Sequence, residues 1–302
     1  MKFNMALSEK LISSFLAFEL DIDINSPIHN IRTSAIKKFQ DLGFPSKKLE
    51  NWKYTSLNQI LKEDYTVFAK QKNVINFKEV KDYFIDNIES YKIVFVDGYF
   101  DPFLSQTSHE GIDICIMSAA LNKAKYADVI KKYFNKISHE KESLTSLNTA
   151  FSKEGVYIHV PKNTVVEKPV EVVHIATGNE AALMLQPRNL IVIEENSEIE
   201  IVESHRSLTS NPIFTNSVTE IFADKNTNID CYKIQNDNST SSLIDSTFIS
   251  QKRNSDVKVH TFSFGGKLTR NNLSFVQENE SINSTMNGLT IIDYQQHVDH
   301  HT

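Results

Sequence analysis

The chain is poor in residues that fix a fold covalently or sterically. It has two cysteines, Cys115 and Cys231, in 302 residues, too few for a disulfide framework or an autonomous four-cysteine metal site. Eight glycines and seven prolines exclude a collagen-like or low-complexity chain. No apolar run approaches the ~20 residues of a membrane span, and mean hydropathy is −0.32. A secretory leader is not visible either, because Glu19 interrupts the stretch Leu11 to Leu20 and no small-residue cleavage site follows. From these absences a cytoplasmic protein, away from membranes, is expected.

Common catalytic signatures are missing as well. There is no Gly-x-Ser-x-Gly elbow and no His-Glu-x-x-His helix. The nearest thing to a phosphate-binding loop is Phe264-Gly265-Gly266-Lys267-Leu268-Thr269. Thr261 stands where the first glycine belongs and Leu268 replaces the magnesium-binding hydroxyl. This segment therefore reads as a turn between strands, and the chain does not read as an ATPase.

What is present divides into two halves. Residues 1–150 carry 20 Lys+Arg against 19 Asp+Glu, and residues 151–302 carry 12 against 19. An acidic second half repels phosphate backbones and argues against nucleic acid as a partner. In the first half, Leu7, Leu11, Phe15 and Phe18 recur at helical spacing, so they predict one buried helix face. Ser34 to Leu42 continues helical and stops at Gly43. Tyr91 to Val96 and Ile112 to Met117 read as strands, and helical patterns return from Ser118 to Ala150. The lysines 123, 125, 131, 132 and 136 form a solvated face.

From Gly155 onward, short β-rich runs follow one another: Val156–Val160, Val170–Ile175, Leu190–Glu194, Ile199–Glu203, Val218–Ala223, Ile229–Ile234, Leu243–Ile249, Val257–Phe264, Leu273–Val276 and Leu289–Ile292. Polar clusters between them mark turns. This is an extended all-β structure, a sandwich, jelly roll or stacked solenoid, and with no strict repeat visible the spacing alone does not choose. Runs such as Leu190 to Ile193 are apolar on both faces and need cover on two sides.

Few residues invite chemistry. Cys115 reads as a small buried hydrophobe. Cys231 has Lys233 as its nearby cation in sequence, a thin basis for a sulfur or metal role. The densest cluster is His297-Val298-Asp299-His300-His301. On a strand, His297, Asp299 and His301 project from one face and His300 from the other. No metal site is assigned, but these three are the candidates if the chain holds an ion.

Two stretches together resemble a family. Gly43-Phe44-Pro45-Ser46-Lys47-Lys48-Leu49-Glu50-Asn51-Trp52-Lys53-Tyr54-Thr55-Ser56-Leu57 is similar to the N-terminal signature of SufD-type members of the SufB/SufD family. These are scaffold subunits of the SUF iron–sulfur cluster assembly system. The signature rests on Gly43, Pro45, Glu50, Trp52, Lys53, Tyr54 and Thr55; Trp52 and Tyr54 read as packing anchors of the N-terminal part. The second stretch runs from Leu147 through Gly155-Val156-Tyr157-Ile158, Pro187-Arg188 and Gly288 to the His297–Thr302 ending, and resembles the family's β core.

The resemblance spans nearly all the chain and implies what spacing could not. It implies a mainly β protein with an N-terminal helical (α+β) domain over 1–150 and a right-handed parallel β-helix core over 151–302. The implied role is a non-catalytic scaffold that pairs with a SufB-like subunit through the β-helix and works with the SufC ATPase. No cofactor is then expected to stay on this chain alone, and an iron–sulfur cluster is present only transiently in the assembled complex. Family members continue past the Asp-His-His-Thr segment into further rungs and a C-terminal helical domain. The chain is therefore expected to be a shortened member, with incomplete β-helix and impaired SufC contact. The other reading is a metal-dependent β-solenoid or jelly-roll enzyme acting on a small molecule or carbohydrate.

Overall fold

In the computed structural model, residues 2–21, 26–69, 75–106, 111–138 and 142–302 are described. The N-terminal periodicity produces helix α1 (Lys2–Asp21), and Leu7, Leu11, Phe15 and Phe18 are all buried. Helix α2 (His29–Leu42) ends where Gly43 turns to φ 64°, its N–H donating to Phe39 O at 2.8 Å. A short helix α3 (Phe77–Val80) leads to strand β1 (Tyr91–Val96), the small strand β2 (Tyr99–Phe100) and β3 (Asp113–Ile116). Helices α4 (Met117–Asn122), α5 (Ala127–Tyr133) and α6 (Ser143–Ala150) complete the helical region. Residues 139–141 of the expected helical stretch lie outside the described residues. The five lysines are exposed, as their spacing implied.

The remainder is a parallel β-solenoid of about five turns. Its strands are β4 (Val156–Val160), β5 (Val170–Ala176), β6 (Leu183–Leu185), β7 (Arg188–Ile193), β8 (Glu198–Ser207), β9 (Ile213–Ala223), β10 (Asn228–Gln235) and β11 (Ser242–Gln251). They continue as β12 (Asp256–Phe264), β13 (Leu268–Gln277), β14 (Asn283–Ile291) and β15 (His297–His301). One sheet has the order β14-β12-β10-β8-β5-β1-β2 and the other β15-β13-β11-β9-β7-β4-β3, with β6 paired to β9. Neighbours within the solenoid are parallel, as in β8 and β10, where Ile199 pairs with Ile229 and Ile201 with Cys231. Strand β1 belongs to the first sheet although it precedes the helices α4 to α6: Ile93 pairs with Val172 of β5.

Each sheet presents apolar residues inward. Ile93, Val172, Ile201, Cys231 and Val259 from one sheet meet Ile158, Ile191, Ile221 and Ile249 from the other. Burying each Val or Ile contributes about 1.5–3 kcal/mol relative to exposure. The outward faces differ along the solenoid. Strand β10 alternates strictly between buried and half-exposed positions, because its outer face meets water. Strands β5 and β7 are buried throughout. Val80, Phe84 and Leu104 cover β5, while Met117, Tyr126 and Ile130 cover Leu190 and Val192 of β7. That is the two-sided cover the apolar runs required.

A repeat does exist, carried by one residue per turn. Asn163, Asn196, Asn226 and Asn254 all adopt left-handed backbone conformations, with φ between 56° and 59°, which Asn tolerates better than most residues. Each amide donates to the Oδ1 of the preceding turn: Asn196 to Asn163 at 2.8 Å, Asn226 to Asn196 at 2.8 Å, and Asn254 to Asn226 at 3.0 Å. A hydroxyl follows each asparagine. Thr227 Oγ1 donates to Asp224 O at 2.8 Å and Ser255 Oγ to Lys252 O at 2.7 Å, closing the turn. The spacing shrinks from 33 to 30 to 28 residues, so no strict sequence period survives. The Gly265-Gly266 segment is the β12–β13 turn, and a Cβ on Gly265 would lie 2.5 Å from Asp237 O.

An ion pair locks the helical region to the solenoid. Arg188 on β7 and Glu220 on β9 are fully buried and 2.7 Å apart. The Glu220 carboxylate also accepts from the backbone N–H groups of Asn135, Lys136, Ile137 and Ser138 at 2.7–3.1 Å. Arg188 donates to Ser138 Oγ at 2.8 Å and stacks over Phe134.

Candidate functional site

Two constellations draw on the polar residues of the chain, one outside the solenoid and one inside it. Outside, the tight turn Glu50–Trp52 lays Trp52 flat against the second sheet, 1% exposed. The Arg270 guanidinium of β13 stacks on the Trp52 ring at 4.1 Å. Its Nη2 donates to Asn51 O at 2.6 Å, and its Nη1 engages Asp299 on β15. Thr55, also buried, donates to Asp299, and His297 Nε2 lies 3.2 Å from Thr55 Oγ1. The signature is thereby clamped to the sheet by residues about 220–245 positions away in sequence.

The signature residues take different positions. Pro45 is buried beside the helix end at Gly43. Glu50 and Lys53 form an exposed ion pair at 3.7 Å. The packing role expected of Tyr54 does not hold: it is 75% exposed, with the Lys53 ammonium over its ring. The turn that aims Trp52 inward points the residue two positions later to solvent. On β15 the alternation runs as predicted. His297 and Asp299 meet the clamp, His300 Nδ1 lies 3.3 Å from Asn271 Nδ2, and His301 borders an outer groove with Glu142 and Asn272.

Inside, the inward column of the first sheet changes from apolar to polar partway along each strand. Val170, Val172 and His174 share a face on β5; Ile199, Ile201, Glu203 and His205 share one on β8; Ile229, Cys231, Lys233 and Gln235 share one on β10. Parallel pairing sets His174 opposite His205, Glu203 opposite Lys233 and His205 opposite Gln235. The two imidazoles stack at 4.7 Å and 9°, continuing a stack that begins at Phe95. His174 Nε2 is 3.5 Å and His205 Nε2 3.7 Å from Glu203 Oε1. Lys233 Nζ contacts Glu203 Oε2 at 3.0 Å and Asp245 Oδ2, from the facing sheet, at 2.6 Å.

The charges of this chamber balance locally. Burial drives Glu203 upward, but Lys233 and the two histidines outweigh it and hold the carboxyl well below its usual range. Burial opposes the Lys233 charge, yet Asp245 and Glu203 raise its pKa. Burial raises Asp245, with Lys233 acting against it. Burial lowers His174 and favours the neutral ring. Cys231 sits on the same column with its thiol pushed up to about 12 by burial, and Cys115 is likewise raised by burial.

Among the described residues, His174, Glu203 and His205 are a group whose ligand atoms all lie within 4.8 Å of one another. Sequence reasoning passed over them because 29 residues separate His174 from Glu203, and only strand register joins them. One signal was available: the inward parity of the apolar residues on β5, β8 and β10 runs without a break into His174, Glu203, His205 and Lys233.

Comparison with known proteins adds to this geometry. Residues 5–172 match the family described as SufBD protein N-terminal region, and residues 174–302 match SUF system FeS cluster assembly, SufBD core domain. A Synechocystis protein named as an iron–sulfur cluster assembly SufBD family protein is 26% identical over 286 residues, covering 92% of this chain and 63% of the relative. The SufD proteins of Bacillus subtilis and Escherichia coli, named as iron–sulfur cluster assembly proteins, are 27% and 23% identical. They cover 67% and 82% of this chain and 47% and 56% of their own lengths. The chain thus spans about half to two thirds of the curated relatives it matches. No helix among the described residues is long and apolar enough to cross a membrane.

Proposed function

Since the chain belongs to the SufBD family, we propose that it is a SufD-like, non-catalytic scaffold subunit of an iron–sulfur cluster assembly complex in the cytoplasm. In this reading it pairs with a SufB-like subunit through its β-solenoid and works with a SufC-like ATPase. The supporting observation is the unbroken family match, through both the helical region and the solenoid. The Trp52–Thr55 clamp adds to it by tying the first of those regions to strands β13 and β15 of the second.

The thiols fit a chain that does not keep a cluster by itself. Clusters are held by thiolates, and burial raises both Cys115 and Cys231, the latter to about 12. Neither is a ready thiolate near neutral pH. The cluster, as cargo, would then draw its ligands from a partner and reside only in the assembled complex.

Co-expression with SufB-like and SufC-like proteins tests the reading. A tag on this chain should capture both partners in a complex that survives size exclusion. Recovery of the tagged chain alone, with the partners expressed and soluble, removes the proposal. Anaerobic treatment of the isolated chain with iron and sulfide should leave no stoichiometric cluster absorbance after desalting.

A further inference from the structure

We propose that His174, Glu203 and His205 form a binding site for one divalent transition-metal ion inside the solenoid. The inference rests on the chamber of this chain and is independent of the scaffold reading. Two imidazoles and one carboxylate are the donor set suited to first-row transition metals; calcium and magnesium prefer oxygen alone. Two donors about 2.1 Å from an ion at a tetrahedral angle are ~3.4 Å apart. The separations of 3.5 and 3.7 Å from Glu203 Oε1 to the two Nε2 atoms need to contract by only a few tenths of an ångström.

The unmet valences point the same way. Both Nε2 atoms are buried and have no hydrogen-bond partner, lying 3.5 and 3.7 Å from Glu203 Oε1. The histidines are only 5% and 6% exposed. Leaving a buried polar atom unpaired is unfavourable, and one ion would satisfy both atoms together. Glu203 is already divided, with Oε2 on Lys233 and Oε1 toward the imidazoles, where it also accepts from Asn189 Nδ2 at 3.1 Å and keeps a second lone pair. Asp245 offsets the Lys233 charge, so the ammonium does not consume the whole of Glu203. This is the carboxylate orientation by an outer partner that ordered metal sites use.

An approach exists on the His174 side. A cavity of about 40 Å³ reaches His174 between the ends of the two sheets and is bordered by Phe95, Asp97, Lys153 and Glu154. One water needs about 10–15 Å³ measured in this way. The cavity therefore has room for a partly hydrated ion.

The test uses the full chain, stripped with a chelator and titrated with cobalt(II) and then zinc(II). One ion per chain should bind, with the visible cobalt bands of nitrogen and oxygen ligation. Glu203→Gln and His205→Gln should each weaken binding about tenfold or more. His174→Phe should abolish it while extending the Phe95 stack, so its circular dichroism and Tm establish that the fold is retained. The double variant His297→Gln/His301→Gln should bind as the parent does. Absence of stoichiometric uptake overturns the proposal. So does uptake that survives His174→Phe or is lost with His297 and His301.

Discussion

Two buried ionic clusters in this protein each centre on a glutamate and differ in where their unmet atoms lie. At the lock beneath the helices, the Glu220 carboxylate accepts from Arg188 and from four backbone N–H groups. In the chamber, Glu203 meets Lys233 on one oxygen and Asn189 on the other, while the two imidazole nitrogens beside it have no hydrogen-bond partner. A saturated carboxylate has no further valence to offer, so the lock fastens two layers. An unsaturated cluster stores a cost that a ligand relieves. Where the unmet atoms lie separates the two: at the lock they are Arg188 Nε and Nη1, donors only, whereas in the chamber they are imidazole nitrogens beside a carboxylate oxygen.

The largest effect should come from breaking the lock. Glu220→Ala strands the Arg188 charge and four N–H groups and should destabilise by about 3–5 kcal/mol, read as a fall in the denaturant midpoint. A parent-like midpoint would show that the lock holds nothing.

The next effect concerns Glu154 at the chamber mouth. Burial raises its carboxyl to about 7, against an opposing hydrogen bond from Ser118 and the charge of Lys153. The folded chain holds this proton more tightly than the unfolded chain. Stability from this group is therefore complete below about pH 4.5 and is lost as pH rises through about 7. Glu154→Gln should abolish that slope and be more stable than the parent at pH 8, on the order of 2 kcal/mol. Equal midpoints at pH 5 and pH 8 for parent and variant would contradict it.

At the clamp, Arg270→Ala removes the stack on Trp52 and the bonds to Asn51 and Asp299, at a cost of about 1–2 kcal/mol. Tyr54→Ala, a few residues away but exposed, should stay within about 0.5 kcal/mol. Thermal melts of the two variants check this contrast. The chamber should also show a small effect. Without metal, His174→Phe should change stability by less than about 1 kcal/mol, because it removes an unpaired atom and preserves ring stacking. A loss as large as that of Glu220→Ala would erase the distinction between the clusters.

Local pattern made much of the architecture legible. The buried face of α1, the bounds of β1 and β4, and the two-sided burial of Leu190 to Ile193 all follow from periodicity and burial over a few residues. The family signature located Trp52 and Thr55 but not their partners. Arg270 and Asp299 lie more than two hundred positions away, and nothing local announces them. The asparagine ladder escaped because the turns shorten along the solenoid, so equivalent residues are not equally spaced. The chamber escaped for the same reason: His174 and His205 become neighbours only through the register of β5 and β8. The resemblance supplied a solenoid that strand spacing alone left open, while strand alternation placed His297 and His300 of β15 on opposite faces.

The asparagine ladder also bears on how the molecule would yield to force. Each turn touches chiefly the turns on either side, and from Asn163 to Asn254 one amide per turn pegs it to the last. A pull on the Thr302 end would meet a series of similar small barriers rather than one global one. Every released turn would pay out roughly 28–33 residues of chain, about 100 Å of contour. The clamp at Arg270 and the deeper lock at Glu220 divide that series into stages. Peeling would pause first where the Trp52 signature grips β13 and β15, and hold longest where the helices grip β7 and β9.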